Sequence, residues 1–103
     1  MGAGFAGILT ADLHLPEATS LKEKRKEVLR LTQGLRRHCG ASVAEVDHHE
    51  LWQRCRISLA IVDREPGEVA EALERASRRL GTDPEWQVLS EERDVIDIGE
   101  GSP

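Results

Sequence analysis

Apolar residues in this chain recur at two spacings, and the order in which those spacings alternate restricts the folds open to it. Between Phe5 and Leu15, the residues Leu9, Ala11, Leu13 and Leu15 alternate with Ile8, Thr10, Asp12 and His14, the two-residue period of a strand with one dry face. After Ser20 the period becomes helical, with Leu21, Val28, Leu31 and Leu35 on one side. Alternation returns over Ala41 to Asp47 and again over Arg54 to Asp63, where Cys55, Ile57, Leu59 and Ile61 form the dry set. Val69, Leu73, Ala76 and Leu80 restore helical spacing. A last strand starts near Trp86 and runs through Val88 and Leu89 toward Ile98, with a bulge or break expected between Ser90 and Asp94.

The boundaries carry their own signals. Pro16 ends the first strand, and Ser20-Leu21-Lys22-Glu23 reads as a capping box in which the serine hydroxyl and the Glu23 carboxylate satisfy each other's backbone N–H groups. Gly40 is placed to stop the first helix, Pro66 suits the first position of the second, and Gly81 ends it. The resulting order β-α-β-β-α-β, with right-handed crossovers, predicts an α+β ferredoxin-like sandwich: a four-stranded antiparallel sheet with both helices on one face. A chain of 103 residues holds one such domain, expected over residues 1–98, with 99–103 as a disordered tail. The uncovered sheet face is expected to display Thr10, Asp12, His14, Glu45, Asp47, Arg54 and Arg56.

Several function classes find little support. Phe5, Trp52 and Trp86 are the only aromatic residues, too few to stack several bases on exposed rings. The N-terminus has no basic region, and the apolar stretch after it is interrupted by Asp12 and His14, so neither a signal peptide nor a membrane span is expected and a cytoplasmic location is the expectation. Cys39 and Cys55 make no C-x-x-C pair and read as core thiols. His14, His48, His49, Cys55, Asp47 and Glu50 are metal-binding types, but no spacing sets two of them on one side, so no metal is expected. No G-x-x-x-x-G-K-[ST] or G-x-G-x-x-G string occurs, so no cofactor and no small-molecule substrate is expected. Cys39 is placed at a helix end, where the dipole disfavours a thiolate, and Cys55 alternates onto the dry face, so neither reads as a nucleophile and the protein reads as non-enzymatic. The enzymatic alternative, acting on a small anion, would need a pocket lined by Asp12, His14, Glu45 and Arg56.

Charge is more informative. Net charge is −5, yet from Ser20 to Arg56 nine Lys/Arg stand against five Asp/Glu, and from Ile57 onward five stand against twelve. The second helix places Glu68, Glu71 and Glu74 early and Arg75, Arg78 and Arg79 late, as the helix dipole favours. The first helix does the reverse, crowding Lys22, Lys24, Arg25 and Lys26 at its start, with Lys22, Lys26, Arg30 and Arg37 along one stripe. Contact with a phosphate backbone through Lys22, Lys24, Arg25, Lys26 and Arg30 would relieve that repulsion. The alternative is a solvated face partly neutralised by Glu23 and Glu27, with Lys24 and Arg25 laying their stems across the core edge. The loop His48, His49, Trp52, Gln53 and Arg54 has two readings as well: Trp52 pins it to the body of the domain, or the loop forms the rim of a partner-recognition surface.

Leu13-His14-Leu15-Pro16, Ser20-Leu21-Lys22-Glu23-Lys24-Arg25, Ser42-Val43-Ala44-Glu45-Val46 and Leu51-Trp52-Gln53-Arg54 together resemble the YlxP-like family of small bacterial proteins, over about Ile8 to Ile98. His49, Cys55 and the glycine-containing ends depart from its pattern. The resemblance implies a ferredoxin-like fold, no established enzymatic activity, and a link to ribosome assembly or translation, since such proteins are commonly encoded beside translation initiation factor two and ribosome-binding factor A. The expected function is therefore an accessory protein that binds RNA or the ribosome. A protein–protein module or homo-oligomer using the open sheet face is the alternative.

Overall fold

The computed structural model describes residues 4–99. The elements follow the predicted order: β1 (Phe5–His14), α1 (Leu21–Cys39), β2 (Ser42–Asp47), β3 (Arg54–Asp63), α2 (Pro66–Gly81) and β4 (Gln87–Asp97). All strand pairings are antiparallel and the sheet order is β2-β3-β1-β4, which makes the fold a ferredoxin-like α+β sandwich. Of the expected tail over 99–103, Gly99 donates its N–H to Asp97 Oδ1, and residues 100–103 lie outside the described residues.

The dry sets identified by alternation form the core. Leu9, Ala11 and Leu13 of β1 and Cys55, Ile57 and Leu59 of β3 are fully buried against Leu31 and Leu35 of α1 and Val69, Leu73, Ala76 and Leu80 of α2. At Gly7 of β1 the side chains of α2 pack close to the sheet: a Cβ there would lie 2.5 Å from Val69 Cγ1 and 2.9 Å from Leu73 Cδ1. Trp86, at the entry to β4, is 2% exposed, and its indole N–H points at the Glu27 carbonyl at 3.4 Å.

Local geometry corrects two expectations. Ser20 caps α1 through its hydroxyl, which accepts from the Glu23 N–H, but the Glu23 carboxylate returns to the N–H and hydroxyl of Thr19, one residue earlier than a capping box requires. Glu45 does not reach the open face. Its register partner is Ile57, so it points toward the helices with Val43; a bulge between Glu45 and Asp47 then turns Asp47, paired with Arg56, to the other side. A second bulge, at Asp12/Leu13 against β4, leaves Leu89 as the extra residue, half exposed.

Register assigns the open face row by row. Val62, Ala6 and Ile96 form its first row, Ser42, Ala60, Ile8 and Asp94 its second, and Ala44, Ser58, Thr10 and Glu92 its third. Asp47, Arg56, Asp12 and Ser90 form the fourth. One end of the face is thus apolar and the other charged, with a Thr10–Ser58 hydroxyl hydrogen bond of 2.8 Å near the midline.

Candidate functional site

Lys24 lies on the buried stripe of α1, three residues after Leu21 and four before Val28, and its side chain is fully enclosed. A buried ammonium needs acceptors, and here it has three: the His48 carbonyl at 2.8 Å, the His49 carbonyl at 3.3 Å and Glu45 Oε2 at 2.6 Å. The Glu45 contact is an ion pair rather than an aligned hydrogen bond, so Oε2 is left without a hydrogen-bond partner. Regular alternation with Val43 puts that carboxylate on the helix side, before the bulge that turns Asp47 away. Beneath the pair lies Cys55, whose thiol is pushed up to about 12 by burial, with the Glu45 carboxylate adding to the shift. Cys39 and Cys55 are both free and buried.

The carbonyls that receive Lys24 belong to the loop between β2 and β3. His48 adopts a left-handed backbone (φ 65), uncommon for a residue with a side chain. That turn directs its carbonyl at Lys24 and the Leu51 N–H, while its ring lies on the open-face side, with Nε2 3.4 Å from Asp12 Oδ1. Asp12 also receives the Arg56 guanidinium at 2.9 and 3.2 Å, and Arg54 comes within 3.8 Å. The Arg56 hydrogen bonds hold the Asp12 carboxyl below the usual range against the opposing effect of burial. The other end of the loop is fixed by the Gln53 amide, which donates to the Pro16 and Ala18 carbonyls at 3.1 Å each.

Trp52 therefore does not pin the loop. It is 51% exposed beside an equally open Leu51, because Lys24 and Gln53 already hold the loop in place. The anchoring partners, Lys24 and the Pro16–Ala18 segment, lie in and just before the first turns of α1, so the loop and the start of that helix occupy one end of the molecule.

Two of the five expected phosphate contacts are committed elsewhere. Lys24 is enclosed. Arg30 gives Asp83 a two-pronged hydrogen bond at 2.9 and 3.0 Å and reaches Glu27 at 2.6 Å, which raises its pKa beyond the ordinary arginine value. Lys22, Arg25 and Lys26 are exposed, and among the described residues none has a carboxylate within 4 Å. Glu23 and Glu27 do not pair with them, since Thr19 occupies the first and Arg30 the second. The exposed ridge of α1 continues through Leu29 and Gln33 to Arg37, which is also unpaired among the described residues. Gln53, expected at a recognition rim, also anchors the loop through its amide, and it is exposed together with His49 and Trp52.

The reading in which Lys24 lays its stem across the core edge stopped short of its full enclosure, which its helical position between Leu21 and Val28 signalled. Sequence reasoning missed Arg79 of α2, whose guanidinium lies over Gly34 of α1. The lining expected for an anion-handling enzyme is not assembled, because Glu45 faces the helices and Asp12, His14 and Arg56 face away from them. Among the described residues no group of three or more His, Cys, Asp or Glu is arranged to hold a metal ion, and no helix is long and apolar enough to cross a membrane.

Comparison with solved structures finds similar chains at low identity. A structural-genomics structure of protein YJCS is 14% identical over 89% of this chain and 99% of that one, with a TM-score of 0.49. A de novo designed protein, Ferredog-Diesel, is 14% identical over 94% and 87%, with a TM-score of 0.44. A chain in the crystal structure of A. aeolicus tRNASec in complex with M. kandleri SerRS is 16% identical over 92% of this chain and 20% of that one, with a TM-score of 0.37. No curated protein matches. The model of one family, described as "Protein of unknown function (DUF503)", matches residues 6–93, so the chain belongs to the DUF503 family.

Proposed function

We propose that this protein is a non-enzymatic accessory factor that binds RNA, on its own or within the ribosome, through the exposed cationic ridge of α1 and the adjoining 48–53 loop. The observation that carries the reading is that Lys22, Arg25, Lys26 and Arg37 stand on that ridge without a carboxylate partner among the described residues, although the chain as a whole is acidic. From position 22 to position 37 a helix rises about 22 Å, enough to follow several consecutive phosphates. The exposed Trp52 lies on a loop tied to the start of the same helix and can stack one base. The resemblance to YlxP-like proteins, with their implied connection to translation, points the same way.

The test is RNA mobility shift and ribosome co-sedimentation at low and moderate salt, comparing wild type with Lys22→Glu and Arg25→Glu. Wild-type binding should weaken steeply as salt rises, and each charge reversal should weaken it further at unchanged melting temperature. Absence of wild-type binding, or equal binding by the variants, rejects the reading.

A second reading, self-association through the open sheet face, draws on a different observation. Val62, 67% exposed, Ile96, Ile8, Ala6 and Ala60 leave the first two rows of that face largely apolar. Light scattering across a concentration series, with Val62→Glu as the disrupting variant, separates this reading from the first.

A further inference from the structure

Between α1 and α2 runs a groove of about 340 Å³, lined by Lys26, Arg30, Gln33, Gly34, Arg37 and Arg79 among others, with no Asp or Glu in its lining. Arg30 spends three of its five N–H donors on Asp83 and Glu27, so its charge is largely met within the protein. Lys26, Arg37 and Arg79 have no carboxylate within 4 Å among the described residues, whereas the neighbouring Arg75 and Arg78 of α2 lie 3.9 Å from Glu71 and Glu74.

Arg79 is held in a particular way. Gly34 sits well inside the 19-residue α1, where glycine is a poor helix former compared with alanine, so its presence calls for a packing reason. The reason is visible above it. A Cβ on Gly34 would come within 3.0 Å of Arg79 Nη2, 3.1 Å of Nε and 3.5 Å of Cζ, so the guanidinium lies across the space that a side chain would fill. Helix α1 thus gives up intrinsic helical preference at the point where an unpaired arginine of the other helix rests on it.

We infer that this groove is a phosphate seat: Arg79, positioned by Gly34, presents its guanidinium donors to one phosphate group, with Lys26 and Arg37 on either side of it. A guanidinium can engage two phosphate oxygens at once through parallel N–H donors, and a partly walled groove screens that attraction less than open solvent does. The inference rests on the RNA reading for the source of the phosphate, namely a phosphodiester of the strand that follows α1, and it adds a contact from α2 that the α1 ridge alone does not provide.

Fluorescence anisotropy with a short mixed-sequence single-stranded RNA tests it in wild type, Gly34→Ala, Arg79→Gln, Arg79→Lys and Lys22→Glu. Gly34→Ala should melt at or above the wild-type temperature yet bind about tenfold more weakly, a combination that a merely space-filling Arg79 would not produce. Arg79→Gln should lose about tenfold in affinity and lower the slope of log affinity against log salt by about 0.7, while Arg79→Lys should keep the slope and still bind more weakly. If Gly34→Ala and Arg79→Gln bind like wild type while Lys22→Glu does not, the seat is refuted and the RNA reading survives. If no RNA binds but pyrophosphate raises the wild-type melting temperature and Arg79→Gln abolishes that rise, the seat is supported for a free phosphate and the RNA reading is refuted. Absence of both responses overturns the seat.

Discussion

The Lys24 ammonium and the His48 carbonyl, 2.8 Å apart, join the core of the helical layer to the one described non-glycine residue with a positive φ. Through this contact a fully buried cation holds the backbone of a loop whose side chains face outward. The Glu45 carboxylate completes the arrangement from the adjacent edge strand, whose own Val43 carbonyl is covered by Arg36 at 2.7 Å.

Breaking that unit should be expensive. Lys24→Met leaves Glu45 facing the core without its counter-ion and should destabilise the fold by about 3 kcal/mol in urea titrations. The double variant Lys24→Met/Glu45→Leu should recover much of the loss, because no uncompensated charge is left in the interior. Backbone amides of residues 48–51 should exchange faster in both variants, since neither restores an anchor to the His48 carbonyl. Equal protection of those amides in wild type and Lys24→Met would show that the ammonium does not hold the loop.

Asp83 makes acid stability partly local. Its burial opposes ionisation, but the Arg30 fork and the backbone N–H groups of Glu85 and Trp86 outweigh that and lower its pKa. A carboxyl depressed in the folded state contributes stability above its unfolded value of about 3.9, and that stability is lost as pH falls through the folded value. Asp83→Asn should therefore cost about 2 kcal/mol near neutrality and flatten the acid limb of a stability–pH curve. An unchanged acid limb would show that Arg30 gains nothing from this partner.

Cys55 should be chemically silent. With its thiol at about 12 and its side chain enclosed, it lacks both thiolate and access at mildly alkaline pH. Labelling by a thiol reagent should track global unfolding across denaturant. Labelling at a rate set by a smaller opening free energy would reveal local opening of the Lys24 region.

Gly7→Ala should destabilise the protein by about 1–3 kcal/mol through overpacking of Val69 and Leu73, measured as a shift of the denaturation midpoint at constant slope. Val69→Ala in the same background should recover part of the loss by making room. If Gly7→Ala alone is neutral, α2 can shift away from the sheet.

The sequence by itself determined the element order, the caps at Ser20 and Gly40, and the core, because a strand buries alternate residues and a helix buries one stripe whatever packs against them. It also showed that the cations of α1 stand where the dipole disfavours them. Only the tertiary structure decided which of those cations are available. Lys24 lies on the buried stripe of α1, but its acceptors come from β2 and the loop that follows the bulge, and Arg30 is occupied because the loop before β4 brings Asp83 across to it. Arg79 meets Gly34 through the packing of two helices far apart in sequence. A single-residue bulge and a close approach between helices depend on contacts distant along the chain, and no local spacing encodes them.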